Sequence, residues 1–242
     1  MIKNRVFFLL VILTMVVQVL FMNDFDTLYS SFPFLDGVPI TPSYSLETIF
    51  LLYWFLPIVA MSFYFSGSCS DNLKHYGKIL ITRNYSRSRW MLNQYFSVLI
   101  VLLTFCLIQF IIFSLLFINE TTSLQPVAAI KLFIMYFFTL STLFSFQLAL
   151  ELYLSPQLSQ LIVNGYIVVS VLFTQQIYNS ALKLMNYLLI PNYAMGFKTG
   201  LTPIPAFQTD LISFLFGLFI LIILMACTVV LSVVRIRKMD IY

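Results

Sequence analysis

Long runs of apolar residues alternate with short polar segments along the whole chain. A helix rises about 1.5 Å per residue, so about 20 apolar residues are needed to cross a hydrocarbon core of about 30 Å. Charge-poor runs that meet or approach this length cover residues 6–23, 48–67, 92–117, 132–151, 159–178 and 211–234. The pattern therefore predicts an all-α, polytopic membrane protein in which one domain, residues 1–242, contains six transmembrane helices.

The composition supports a membrane protein over a soluble one. Hydrophobic residues make up 61% of the chain and charged residues 9%, whereas soluble domains average roughly 45–50% and about 25%. The first apolar run follows Lys3 and Arg5, as in a cleaved signal peptide, but residues 15–23 offer no small-residue cleavage site. We therefore expect this run to be retained as the first span.

Lysine and arginine are distributed unequally between the predicted loops. Six crossings place ten of the 13 cationic residues on one side and leave Lys131, Lys183 and Lys198 on the other. Because cationic loops tend to stay in the cytoplasm, both termini and the loop between spans two and three are predicted to be cytoplasmic. The three cysteines fall in spans or beside that loop, so no disulfide framework is expected.

The loop between spans two and three has an amphipathic pattern of its own. Leu73, Tyr76 and Leu80 recur at the spacing of one helical face, and Ser70 and Asp71 are suited to a helix start. The pattern predicts a short helix along the cytoplasmic surface. Membrane topology alone explains the cations of this loop, and the apolar face adds a second interpretation, a docking surface.

Residues 71–96, DNLKHYGKILITRNYSRSRWMLNQYF, resemble the region after the second span in ABC type 2 exporter permeases. In that family a coupling helix and a glycine precede a short apolar run, a Ser-Arg pair and the third span. Gly77, residues 78–83 and the pair at 86–87 follow this order. His75 and Tyr76 stand where the family often has an acidic residue, which is a departure at the docking surface.

The resemblance implies a small six-span permease of the bacterial peptide or bacteriocin export or immunity type, in the plasma membrane. Its implied partners are a second permease subunit, identical or not, and a cytoplasmic ABC ATPase dimer that holds ATP and Mg. An amphipathic or apolar cargo, above all an antimicrobial or cytolytic peptide, is the implied substrate. The residues implied in ATPase contact are Asp71, Asn72, Leu73, Lys74, His75, Tyr76, Gly77, Leu80 and Arg83.

Residues that carry catalytic chemistry are sparse. The single histidine, His75, lies in the predicted cytoplasmic loop, and no metal-ligand cluster or G-x-x-x-x-G-K-[ST] phosphate cradle occurs. Glu151, the one carboxylate near a span interior, is expected to snorkel or to pair with a basic loop. We therefore predict a transport subunit without catalytic residues or bound cofactor, whose partner hydrolyses ATP. No basic face for nucleic acid is present either.

Polar residues inside the spans have two interpretations. They could line a substrate path, or they could hold the helices together through interhelical hydrogen bonds, which average about 0.6 kcal/mol. We favour the second interpretation. The residues concerned are Gln18, Gln109, Gln147, Asn164 and Gln175.

Two segments on the predicted outer side remain. Residues 184–197 are apolar but too short to cross, and Pro191 and Gly196 interrupt them, so they are either re-entrant or interfacial. Residues 23–46 form the other outer loop, which either contacts substrate or a second subunit or contributes to an aromatic belt at the membrane interface. We favour the belt, with Phe32, Phe34 and Tyr44 in it.

Two other function classes compete with export. A membrane-embedded hydrolase would need a buried catalytic pair, and the spans offer none. A non-transporting immunity or sensor protein would share the spans and the loops but would work without an ATPase.

Overall fold

The computed structural model describes most of the chain. The described residues are 2–23, 30, 32–40, 44–70, 72–73, 86–116, 124–178, 183–202, 204 and 209–238. The long helices are α1 (Ile2–Asn23), α3 (Tyr44–Phe65), α4 (Arg87–Leu116), α5 (Pro126–Leu150), α6 (Pro156–Tyr178) and α8 (Phe214–Lys238). The short elements are the α-helices α2 (Pro33–Asp36) and α7 (Gly196–Thr199) and the 3₁₀ helices η1 (Lys183–Leu188) and η2 (Ile190–Ala194).

Within the described residues, five helices are long and apolar enough to cross a membrane. These stretches are Glu47–Ser70, Arg87–Leu116, Pro126–Leu150, Pro156–Thr174 and Phe214–Lys238. The helix α1 extends over 22 residues, and its described apolar stretch, Val6–Met22, is shorter than the other five. The predicted all-helical fold is confirmed for the described residues, and the five helices are consistent with a multi-pass membrane protein.

Local sequence signals explain where several helices begin and end. α5 and α6 each start with a proline, which fits the first turn because its missing N–H needs no partner there. The Ser155 hydroxyl accepts a 3.4 Å hydrogen bond from the Leu158 amide and so caps α6. Three cations close α8, where the helix dipole favours positive charge.

The helix α5 is the centre of the bundle. It packs against α8, α4, α6 and α3, while α1 packs mainly against α3. Every residue from 139 to 145 is buried, so α5 contacts protein on all sides at its middle. By contrast, the outward faces of α1, α4 and α8 expose large apolar side chains such as Leu13, Leu115 and Leu215. Such faces are suited to lipid contact.

The bundle has two distinct ends. We call one the basic end, because α4 starts there with Arg87 and Arg89 and α8 finishes there with Arg235, Arg237 and Lys238. At the other end, residues 33–39 and 191–199 are all buried. We call these two segments together the plug.

Aromatic side chains insert the first plug segment deeply. Phe34 is fully buried, with ring centroids 5.0 Å from Phe113 and 5.5 Å from Tyr136. The Trp54 indole donates a 3.1 Å hydrogen bond to the Phe34 carbonyl, and Trp54 lies about 15 Å along α3 from its start. The predicted aromatic belt is therefore wrong for Phe34, which has no exposed surface. Phe32 is partly buried, its ring stacks on Phe110 at 4.4 Å, and its place in the belt stays a prediction.

Residues 184–197 differ in burial along their length. In η1, Met185 and Leu188 are exposed. From Pro191 onward, the second plug segment is buried against α5 and α6. The broken backbone at Pro191 and Gly196 is thus packed inside the protein, and a re-entrant position of these residues in the membrane stays a prediction.

Candidate functional site

A buried carboxylate fixes the turn that follows α3 at the basic end. Glu151 Oε1 accepts a 2.9 Å hydrogen bond from the Gly67 amide, and Oε2 accepts a 3.1 Å hydrogen bond from the Cys69 amide. Gly67 has a positive φ of 83°, which lets the chain turn there, and residues 68–70 are helical. An anion at a helix start is favoured by the helix dipole and by the free N–H groups. We call this arrangement the Glu151 junction.

Two of the residues predicted to contact an ATPase, Asn72 and Leu73, directly follow the Glu151 junction in the chain. Asn72 Nδ2 donates a 3.1 Å hydrogen bond to Gln94 Oε1 on α4, and Leu73 packs against the main core. Both residues are helical. The other predicted contact residues lie outside the described residues, so the coupling helix stays a prediction: Asp71, Lys74, His75, Tyr76, Gly77, Leu80 and Arg83.

Cationic side chains also join helices at the basic end. Arg237 Nε donates a 2.7 Å hydrogen bond to the Ser88 hydroxyl, which ties α8 to the start of α4. The Arg235 guanidinium lies 4.8 Å from the centroid of the Tyr153 ring, in the turn between α5 and α6. These contacts hold the end of α8 against the start of α4 and against the turn between α5 and α6.

Three of the five predicted polar path residues form hydrogen bonds between helices. Gln109 Nε2 donates to Gln18 Oε1 at 2.8 Å, and the Tyr136 hydroxyl donates to Gln109 Oε1 at 3.0 Å. This chain links α1, α4 and α5. Gln147 exchanges two hydrogen bonds with Ser62, one at 2.9 Å with its hydroxyl and one at 3.0 Å with its carbonyl, and so links α5 to α3.

The two remaining path residues stand apart. Asn164 is partly buried on α6, and its Oδ1 accepts no hydrogen bond within the described part of the chain. Only the backbone of Gln175 is described. The bonds of the first three match interhelical adhesion, and a substrate path through all five stays a prediction.

Three ionisable residues lie in the plug or beside it at the start of α3, and the sequence did not indicate them as a group. Asp36, Glu47 and Lys198 have no exposed surface. Asp36 Oδ2 accepts hydrogen bonds from the Ser30 amide at 2.8 Å and the Ser30 hydroxyl at 2.6 Å. Lys198 Nζ donates to Asn192 Oδ1 at 2.8 Å and interacts electrostatically with Glu47. A chain with few charges seldom buries three of them, so this group is a candidate for function.

Burial shifts the pKa values of two plug residues, Asp36 and Lys198. It raises the pKa of Asp36 from 3.8 to about 6, although the Ser30 hydrogen bonds oppose the rise. It lowers the pKa of Lys198 from 10.5 to about 7, although the Glu47 carboxylate opposes the fall. Both groups can therefore exchange protons near neutral pH. A sequence signal existed in the acidic residue of PFLDGVP, an otherwise apolar run, but its burial depends on the second plug segment.

Metal-binding residues do not cluster in the described ranges: no group of three or more His, Cys, Asp or Glu side chains is close enough to hold an ion. The cysteines Cys69, Cys106 and Cys227 are all free thiols.

Comparison with known proteins gives a family but no activity. A family model described as "Protein of unknown function (DUF2705)" matches residues 10–242. The chain belongs to the DUF2705 family. This DUF2705 protein is 38% identical over 225 residues to a Bacillus subtilis (strain 168) protein described as "Uncharacterized protein YybK", covering 90% of each chain. No solved structure matches the DUF2705 protein.

Proposed function

We propose that this protein is the membrane-spanning permease subunit of an ATP-driven ABC exporter. In this proposal α1 also crosses the membrane, which brings the number of spans to six. The basic end and both termini face the cytoplasm of a bacterial cell. The supporting features are the apolar helices, the concentration of cations at one end, and the resemblance of residues 71–96 to the coupling region of type 2 permeases.

The proposed assembly contains two permease subunits and two ATPase subunits. The ATPases hold ATP and Mg and press on residues 71–82, which we call the docking segment. The permease itself binds no cofactor. A ligand can drive such a change only if it contacts the two conformations differently. Nucleotide-dependent closure of the ATPases supplies that difference.

The Glu151 junction is the observation on which the proposal chiefly rests. Its two hydrogen bonds connect residues 67–69, which lead into the segment 71–82, to Glu151 at the end of α5. The Asn72–Gln94 bond connects the segment itself to α4. A push on the segment would therefore move α3 and α4 as a unit, in the way that packed helices transmit rigid-body motion. A loosely attached loop would absorb the same push.

The cargo in this proposal is amphipathic or apolar, and we favour an antimicrobial or cytolytic peptide. The amides inside the bundle pair with one another or with hydroxyl groups. A path for ions or protons usually needs charged residues along it. Among the described Asp, Glu, Lys and Arg residues, those with no exposed surface are confined to the plug end.

Co-purification tests the proposal directly. The tagged chain would be co-expressed with the ABC ATPase encoded nearest to its gene, and the captured ATPase would be quantified. Tyr76→Asp and Arg83→Glu should reduce capture at least severalfold, because both residues are among the predicted ATPase contacts. Lys238→Glu, a charge reversal on the exposed end of α8, is the matched control and should leave capture unchanged.

Equal capture by the native chain and all three variants would contradict the docking assignment. Failure to capture any ATPase, together with full protection of cells against a cytolytic peptide, would favour the non-transporting immunity alternative.

A further inference from the structure

A cavity of about 550 Å³ lies at the basic end between α1, α3, α4 and α6. Sites for small ligands typically measure about 300–1,000 Å³, so this cavity could hold a ligand of a few residues. It lies beside the Glu151 junction, because residues 66–68 form part of its wall.

One wall of the cavity is apolar. Phe7 on α1, Phe63 on α3, and Val98 and Val101 on α4 line it. Aromatic and aliphatic surfaces of this kind bind apolar side chains by removing them from water.

Polar, uncharged side chains also line the cavity. They include Ser68, Asn72, Gln157 and Gln160. Gln160 is 93% buried, and the buried Ser68 hydroxyl has no hydrogen-bond partner within the described residues. Buried polar groups normally have a hydrogen-bond partner. The Ser68 hydroxyl is therefore available to a ligand, and the Gln160 side chain borders the same cavity.

The charge of the lining restricts the ligand. Among the described lining residues there is no Lys, Arg, Asp or Glu. A phosphate-bearing lipid headgroup or a cationic side chain would need an opposite charge at such a site. A peptide backbone needs only neutral donors and acceptors, since each residue carries one N–H and one carbonyl.

We propose that this cavity binds an uncharged stretch of an amphipathic peptide. Apolar side chains of the peptide contact the Phe63 and Val101 wall, and its backbone or neutral polar groups pair with Gln160 and Ser68. If the protein is an exporter, this stretch belongs to the cargo, and that part of the inference rests on the proposed function.

A ligand bound in the cavity would affect the docking segment through Gly67. Gly67 lines the cavity and donates its amide to Glu151 Oε1. A bound peptide therefore contacts the backbone that leads into residues 71–85. The cavity and the docking segment are coupled in this arrangement without a long relay.

Binding to the purified full chain in lipid nanodiscs tests the inference. The probe is a short fluorescein-labelled peptide of Leu, Phe, Ser and Asn, and fluorescence anisotropy measures its affinity. Val101→Trp should fill the cavity and weaken binding by about tenfold or more. Leu103→Trp, on the exposed face of the same helix, should bind like the native chain.

A milder variant guards against misfolding. Gln160→Leu keeps the side-chain size and removes the amide, and it should weaken binding by about fivefold, as expected for one lost hydrogen bond. Replacing each Asn of the probe with Lys should abolish binding to the native chain. Thermal unfolding of every variant confirms that the fold is retained.

The inference is overturned if Val101→Trp and Gln160→Leu both bind like the native chain, or if the lysine probe binds as well as the neutral one. These measurements need no ATPase. Loss of ATPase capture with retained probe binding would therefore reject the exporter and keep the cavity, and the reverse result would reject the cavity alone.

Discussion

The Glu151 side chain accepts hydrogen bonds from two backbone amides in one turn of the chain. The carboxylate is 94% buried and accepts two backbone N–H groups. Hydrogen bonds to a charged acceptor contribute about 1.5–3 kcal/mol, and a buried N–H left without a partner is costly. A single side chain therefore holds α3, α5 and the following segment together.

Replacing this carboxylate should loosen the junction. We expect Glu151→Ala to lower the free energy of unfolding by about 2–4 kcal/mol, because both amides lose their acceptor. Glu151→Gln should cost less, since one amide oxygen remains to accept. Denaturant titration in mild detergent measures both. Asp210→Asn, at an exposed carboxylate, is the control, and an equal loss in that variant would contradict the junction's role.

The plug predicts a two-limbed dependence of stability on pH. Burial raises the pKa of Asp36 from 3.8 to about 6, so the folded state holds its proton more tightly and stability falls as the pH rises through this window. Burial lowers the pKa of Lys198 from 10.5 to about 7. The unfolded chain then binds more protons between these values, so stability rises with pH there.

Two substitutions separate these limbs. Asp36→Asn should remove the fall between pH 3.8 and about 6, and Lys198→Met should remove the rise above about pH 7. Each limb is worth a few kcal/mol at most. Thermal unfolding across the pH range measures the slopes. A native slope that survives in the matching variant would contradict the assignment of that limb.

At this scale the sequence identifies polar groups but not their partners. An amide in an apolar span must find a hydrogen bond, so the pairing of Gln109 and Gln147 could be expected in kind. That Gln109 meets Gln18 and that Gln147 meets Ser62 depends on how four helices pack. No spacing along the chain encodes those choices.

Glycines allow the two plug segments to approach closely. Gly37 has a φ of +78°, and a Cβ there would lie 2.4 Å from Met195 Cγ. A Cβ on Gly196 would lie 3.2 Å from the Leu35 carbonyl oxygen. The backbone contact between α2 and α7 therefore requires small residues on both sides.

Alanine substitution tests this contact against a matched glycine. Gly37→Ala should lower the free energy of unfolding by about 1–3 kcal/mol, from backbone strain and overpacking. Gly165→Ala, on the exposed face of α6 with no atom within 4 Å of the new Cβ, should be neutral or stabilise by up to about 1 kcal/mol. Unfolding midpoints decide the matter, and similar effects at both positions would contradict the close packing.

Long elements are predicted better than short ones. The predicted third span, residues 92–117, corresponds to α4, which begins at Arg87 because a helix continues past the apolar run into polar residues. The plug was not predicted because Phe32 and Phe34 in a proline-rich loop resemble interface aromatics. Only their contacts with α4 and α5 distinguish the two situations.

The arrangement of the whole molecule in the membrane follows from its charge asymmetry. The basic end should face the cytoplasm and the plug end the exterior. In intact cells a membrane-impermeant maleimide should label Asp210→Cys, whereas Lys238→Cys should react only after permeabilisation. The native chain is the control for its own three cysteines. The reverse labelling pattern would contradict the orientation and the proposed ATPase contact.

At the scale of the whole molecule, composition predicts the class of protein, but it does not predict where a ligand or partner binds. The apolar fraction and the length of the runs predict a helical bundle, and the five long apolar helices of the described residues are consistent with a multi-pass membrane protein. The cavity at the basic end could not be foreseen, because its walls come from four helices that are distant in sequence.

The plug also has a consequence for biosynthesis. Its first segment emerges early from the ribosome, but Met195 and Gly196, which cover Gly37 and Asp36, are translated after most of the chain. A prematurely terminated protein that lacks the second segment leaves the Asp36 carboxylate uncovered. Burial of this carboxylate therefore waits until residues 195 and 196 have been synthesised.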